Sequence, residues 1–142
     1  MARKPAYAIL LMTLALSAAT PATAQTDSAR EAQDIVTRQL EAFLADDFVT
    51  AYSYASPDIK RVFPTLDGFM SMVRNGYLPV LRPGNYAFGQ VETDSEGRIV
   101  WEVLIRGPDG ADYTAAYYME RQPDGSWKVD AVSLRKGAAG IT

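Results

Sequence analysis

Any chemistry this chain performs must run on carboxylates, phenols, lysines, arginines or hydroxyls, because its 142 residues contain no histidine and no cysteine. That removes His-based triads, Cys–His nucleophiles and zinc sites built from imidazole or thiolate. Acid–base work would then need a carboxyl of raised pKa beside a Tyr donor. The acidic words that catch the eye are Asp94-Ser95-Glu96-Gly97, Pro108-Asp109-Gly110 and Pro123-Asp124-Gly125. They lack the spaced oxygen ligands of a calcium loop, whereas Asp and Gly in these places are what tight turns demand, so no metal is expected there. Asp58-Ile59-Lys60-Arg61 reads as a solvated helix face, and Arg74 as a cation favoured by a helix C-terminus.

The elements that must position any such residues are legible from period and punctuation. The three acidic words separate runs rich in Val, Ile, Tyr and Trp, which predicts a four-stranded antiparallel meander over Asn85 to Arg135. In the first run Tyr86, Phe88 and Gln90 share a face. In the second, Ile99, Trp101, Val103 and Ile105 are assigned to the core; Val100, Glu102, Leu104 and Arg106 face outward. In the third, Tyr113, Ala115, Tyr117 and Met119 point inward against Thr114, Ala116, Tyr118 and Glu120. Trp127 and Val129 continue the inner face, but Val132 and Leu134 fall out of phase with them. Either a β-bulge near Asp130-Ala131 turns them inward, which the sequence slightly favours, or they join an apolar outer face.

Upstream the period is helical. Ser28-Ala29-Arg30-Glu31 fits a capping box, followed by Ile35, Val36, Leu40, Phe43 and Leu44 on one stripe, which predicts a helix over 29–45. Asp46-Asp47 breaks it and can cap a second segment with Phe48, Ala51, Tyr52 and Ala55 on one side. Ser56-Pro57 starts a short third turn that stops before Pro64. Thr65 caps a fourth stretch burying Leu66, Phe69, Met70 and Val73, with Gly76 as a left-handed C-terminal cap. Tyr77 to Gly84 is expected to be an extended crossover. Helices first and strands after make the class α+β.

The chain opens with Arg3 and Lys4, an apolar run over Ala6–Ala19 and the small-x-small word Ala22-Thr23-Ala24. This is the pattern of a secretory signal peptide over 1–24, and the run is short of the roughly 20 residues a membrane span needs. The expected remainder, 25–142, is the length of one domain, with 136–142 a frayed tail. Cleavage would take two of the 14 basic residues and none of the 17 acidic ones. The resulting acidic balance argues against nucleic acid as a partner. Without cysteine, an exported chain has no disulfide support and must rely on its core.

Several words in order carry a resemblance: Asp46-Asp47 with Ala51, Ala55-Ser56-Pro57-Asp58-Ile59, Phe69-Met70-Ser71-Met72-Val73-Arg74-Asn75-Gly76-Tyr77, and Tyr118-Met119 followed by Asp124-Gly125-Ser126-Trp127-Lys128-Val129. Together, over about Ala29 to Leu134, they resemble the bacterial domain-of-unknown-function 4864 family, within the nuclear transport factor 2-like, cystatin-like superfamily. The departure is Ala131 where Gly is expected. The resemblance implies helices roofing one face of a curved sheet, export, and no stated reaction or cofactor. In the superfamily the resulting cone often holds a pocket, which Tyr52, Phe69, Val73, Trp101, Tyr113, Tyr117 and Trp127 would line here; the plainer account of these residues is core packing. In such a pocket the nearest carboxylates are Asp46, Asp47 and Asp112. The first two read better as helix caps, and Asp112 has outer-face parity, so none is assigned a catalytic role. Superfamily members often dimerise through the outer sheet face, here Val100, Leu104, Ala116 and Tyr118. Three functions follow as alternatives: non-enzymatic binding of a small apolar ligand or protein partner, cofactor-free acid–base catalysis by Asp and Tyr, and a structural envelope protein with a filled core.

Overall fold

Four strands follow one another as an open antiparallel sheet: β1 (Asn85–Thr93), β2 (Ile99–Arg106), β3 (Asp112–Arg121) and β4 (Trp127–Lys136), in the order β1-β2-β3-β4. Each hairpin is closed by the same device. Asp94, Asp109 and Asp124 each accept a hydrogen bond from the backbone N–H two residues on, at 2.9, 3.1 and 2.9 Å. The glycine that follows in each turn, Gly97, Gly110 or Gly125, has φ of 79°, 78° or 87°. That left-handed conformation is open to Gly and strained for residues with a Cβ.

The computed structural model describes residues 21–138, so the expected signal peptide lies mostly outside the described residues. Ahead of the sheet come α1 (Pro21–Leu44), α2 (Phe48–Ser53), α3 (Pro57–Val62), α4 (Leu66–Gly76) and α5 (Leu78–Leu81). Three expected caps are present: Asp47 accepts from Thr50 N, Ser56 from Ile59 N and Thr65 from Gly68 N. Other expectations need correction. α1 is already helical at Pro21, so Ser28 lies inside it rather than capping it; Ala24, Gln25 and Ala29 are good helix formers and carry the helix through the local signal. Gly76 ends α4 without a positive φ, and Tyr77 serves as the cap. The crossover is not all extended: its Tyr77 carbonyl accepts from Val80 and Leu81, making the single turn α5.

Two bulges set which side chains face inward. In β1 the register shifts between Phe88↔Val103 and Val91↔Trp101, leaving Gly89 and Gln90 against the single residue Glu102. Gln90 therefore leaves the face of Tyr86 and Phe88, and Val91 takes the position across from Trp101. A Cβ on Gly89 would stand 2.5 Å from Glu102 Oε1, so a larger residue in this bulge would have to displace the Glu102 carboxylate. In β4, Met119 pairs with Val129 but Tyr118 pairs with Ala131, so Asp130 is the extra residue. Val132 and Leu134 consequently face Tyr117 and Ala115 and pack against the core. The sequence's phase break is this bulge.

Helices and sheet share one hydrophobic cluster. Val36, Leu40 and Phe43 from α1, Phe69, Met70 and Val73 from α4, and Trp101, Tyr117, Met119 and Trp127 from the sheet all belong to it. Each large side chain buried there contributes about 1.5–3 kcal/mol. The tail is held further than expected: Gly137 N donates to Asp112 O at 2.7 Å, and Thr114 Oγ1 to Gly137 O at 2.7 Å. Residues 139–142 lie outside the described residues.

Candidate functional site

Beneath the short helices the core is incompletely filled, leaving an apolar cavity of about 240 Å³. Its floor is β4, where Val129, Ala131 and Val132 line it, and the Asp130 bulge is what brings the last of these inward. Ile59 of α3 and the following Phe63 form one wall; Phe69, Met72 and Val73 of α4 form another, closed by Tyr77 and Val80. Gln39 and Phe43 enter from α1. The aromatic wall is braced by ring contacts, with Tyr52 tilted on Phe69 at 4.9 Å and Phe43 stacked on it at 6.4 Å. Tyr52 also donates its hydroxyl to Phe63 O at 2.5 Å, fixing the end of α3. No side chain lining the cavity is charged.

A second depression, about 900 Å³ and open to solvent, runs between the first turns of α1 and the β1–β2 hairpin. Trp101 and Trp127 line it, yet both are buried and both indole N–H groups are engaged, Trp101 with Ala29 O at 2.7 Å and Trp127 with Glu31 Oε2 at 3.3 Å. Their role is to moor α1 to the sheet. Arg30, Glu92 and Arg121 make this groove charged as well as open, a poor enclosure for a small molecule.

At the edge of the outer face, carboxylates of Asp58, Glu120 and Asp130 converge within 4.8 Å of one another. Cations already serve two of them: Arg98 reaches Asp130 at 3.0 Å and Arg61 reaches Asp58 at 2.7 Å. Ser56 donates to Asp130 at 2.8 Å while its oxygen caps α3, and its N–H bonds Val129 O at 2.8 Å. Arg98 continues to Asp94 at 2.8 Å. Burial raises the Asp94 carboxyl's pKa, but hydrogen bonds from the Arg98 backbone and guanidinium and the Glu96 amide outweigh that and leave it lowered. The result is a polar chain from α3 to the first hairpin, structural in character.

The domain of unknown function DUF4864 matches residues 25–140. The chain belongs to that family. No curated protein and no solved structure gives a match. In this DUF4864 domain the residues singled out from sequence do not converge on one place. Phe69 and Val73 line the apolar cavity, Trp101 and Trp127 line the open groove, and Tyr52 stands behind Phe69. Tyr117 is wholly buried in the core; Tyr113 bonds Asp109 at 2.7 Å in the second hairpin turn. That bond, then the Ala111 amide, holds the Asp109 carboxyl below its usual range, the reverse of what a general acid needs. Asp46 pairs with Arg82, Asp47 caps α2 and Asp112 pairs with Arg106, all exposed. On the outer face of this DUF4864 domain, Val100 is buried outside the core cluster, Leu104 and Ala116 are half-buried, and the Arg98 guanidinium covers the Tyr118 ring at 4.8 Å.

Sequence reasoning missed Gln39, Phe63, Met72, Tyr77 and Val132 as cavity residues. Only Val132 left a trace, in the broken alternation of β4. The carboxylate trio left none, since its members come from three elements that meet only in the folded sheet.

Proposed function

We propose that this domain is an exported, non-enzymatic binding protein whose ligand is a small apolar molecule held in the 240 Å³ cavity, the opening of a cystatin-like cone. The observation that carries the reading is a partly open apolar pocket walled by Ile, Val, Phe and Met side chains with no ionised group among them. Such a lining favours transfer of apolar surface from water and rejects unpaired charge. An engineered cavity of about 150 Å³ takes one benzene, so this one suits a substituted ring or a short acyl chain. Export is supported by the basic, apolar and Ala22-Thr23-Ala24 words, and by the family match beginning at residue 25. The described residues 23–27 around the expected cleavage after Ala24 are all exposed.

The test is extraction of the purified protein with organic solvent and mass spectrometry of what it carries, beside the variant Val132→Phe. Val132 is half-buried in a strand, a setting that tolerates an aromatic while filling the space. A small apolar molecule present in the wild type and lost in Val132→Phe supports the reading. Equal recovery from both proteins, or none from either together with no thermal shift from apolar ring compounds, refutes it.

A further inference from the structure

Two polar residues line the cavity, and the hydrogen bonds they already make determine what they have left for a ligand. Gln39 is 3% exposed and directs its amide to Ala51 O at 3.1 Å. A carbonyl only accepts, so the atom facing it is Nε2, and this fixes the orientation of the amide. Among the described residues no donor is bonded to Gln39 Oε1. Tyr77 donates its single hydroxyl proton to Val132 O at 3.1 Å, and its oxygen keeps only acceptor capacity. The two polar residues of this uncharged lining therefore hold in reserve two acceptors, Gln39 Oε1 and Tyr77 Oη, and one remaining N–H on Gln39.

We infer that the cavity selects a neutral apolar molecule bearing a hydroxyl, an alcohol or phenol, over a carboxylate of the same size. This rests on the binding function proposed above and names its ligand class. A hydroxyl donates to one of the acceptors while accepting from the spare amide N–H, so its polar atom is satisfied in both senses. A carboxylate only accepts; it would face two acceptors with no cation in the lining and lose its hydration uncompensated. A plain hydrocarbon fits the walls but leaves the polar groups unused.

The test uses three probes with one body: 4-ethylphenol, 4-ethylbenzoate and ethylbenzene, titrated into the purified protein and followed by methyl chemical shifts of Met72, Val73 and Val80. One neutral hydrogen bond predicts that 4-ethylphenol binds about three- to tenfold tighter than ethylbenzene, with 4-ethylbenzoate weakest. In Gln39→Leu the phenol advantage is expected to vanish while ethylbenzene binding persists. That variant still leaves Ala51 O a partner in Tyr54 N. Tyr77→Phe provides a second, milder reduction of the same advantage. Tighter binding of 4-ethylbenzoate, or a phenol-to-ethylbenzene ratio unchanged by both substitutions, overturns the ligand class while leaving cavity binding intact. Failure of all three probes to move those methyls overturns the binding reading itself.

Discussion

Replacing Tyr117 by Phe is expected to stabilise the protein. Tyr117 is 0% exposed, and its hydroxyl has no hydrogen-bond partner among the described residues. A buried hydroxyl left unpaired costs about 1–3 kcal/mol relative to one that is hydrated or bonded. The substitution removes one oxygen and keeps the ring against the core, so the small loss of dispersion offsets little of that gain. A net gain of about 1 kcal/mol corresponds to a rise in Tm of about 3–5 °C for a domain of this length. The pH dependence gives a second readout. Burial, and to a lesser degree Tyr86, raises the Tyr117 pKa well above the ordinary phenol value. The unfolded chain therefore releases this proton near pH 10 while the folded chain retains it. Stability is fully present below about pH 10 and falls above it by about 1.4 kcal/mol per pH unit for this group alone. Tyr117→Phe should flatten that alkaline limb by the same slope. Thermal melts at pH 7 and urea titrations from pH 9 to 11, with unchanged m-value, measure both effects. A Tm lowered by several degrees with an unaltered alkaline limb would refute the reasoning.

Other perturbations follow from the same geometry. Ser56→Ala removes the α3 cap and the bond to Asp130 together, with an expected loss of about 1–2 kcal/mol by urea denaturation; a neutral result would show that the bulge holds without its anchor. Gly125→Ala places a Cβ at φ 87° and should cost about 1 kcal/mol through strain in the last hairpin, read as a lower urea midpoint. Asp94, Asp109 and Asp124 all have lowered pKa values. Their stabilisation is present above the ordinary carboxylate pKa and lost as pH falls through the lower folded values. The triple Asn variant should therefore show a shallower acid limb below about pH 4 while retaining its fold by circular dichroism.

The sheet was legible because turn chemistry and period-2 patterning act locally. Asp-Gly words marked the hairpins, and the phase error between Val129 and Val132 left a bulge or an apolar outer face as alternatives, which the strand register resolves as the bulge at Asp130. Helix ends were harder. The Ser28–Glu31 box is competent to begin a helix, yet nothing prevents residues before it from joining one, so the start moved upstream. Gly76 and α5 turned on how Tyr77 packs, and its hydroxyl reaches Val132, 55 residues away. The cavity is space left by side chains from α1, α3, α4, α5 and β4 that do not quite meet, a property of packing that no single segment encodes. Residues with strong sequence signals, such as Trp101 and Trp127, turned out to be holding α1 in place.

The tether at Val129 also makes the two margins of the sheet unequal. Ala55 pairs with Val129 in parallel, so Val129 N and O are bonded by Tyr54 and Ser56, and Val132 O is taken by Tyr77. On the far margin β1 is, among the described residues, paired on one side only, with β2, and Gly89 and Gln90 interrupt the spacing of its outer groups midway. Among the described residues, an incoming foreign strand thus meets a margin tethered at Val129 and Val132 and another broken at Gly89, two interruptions of the even spacing that strand addition needs.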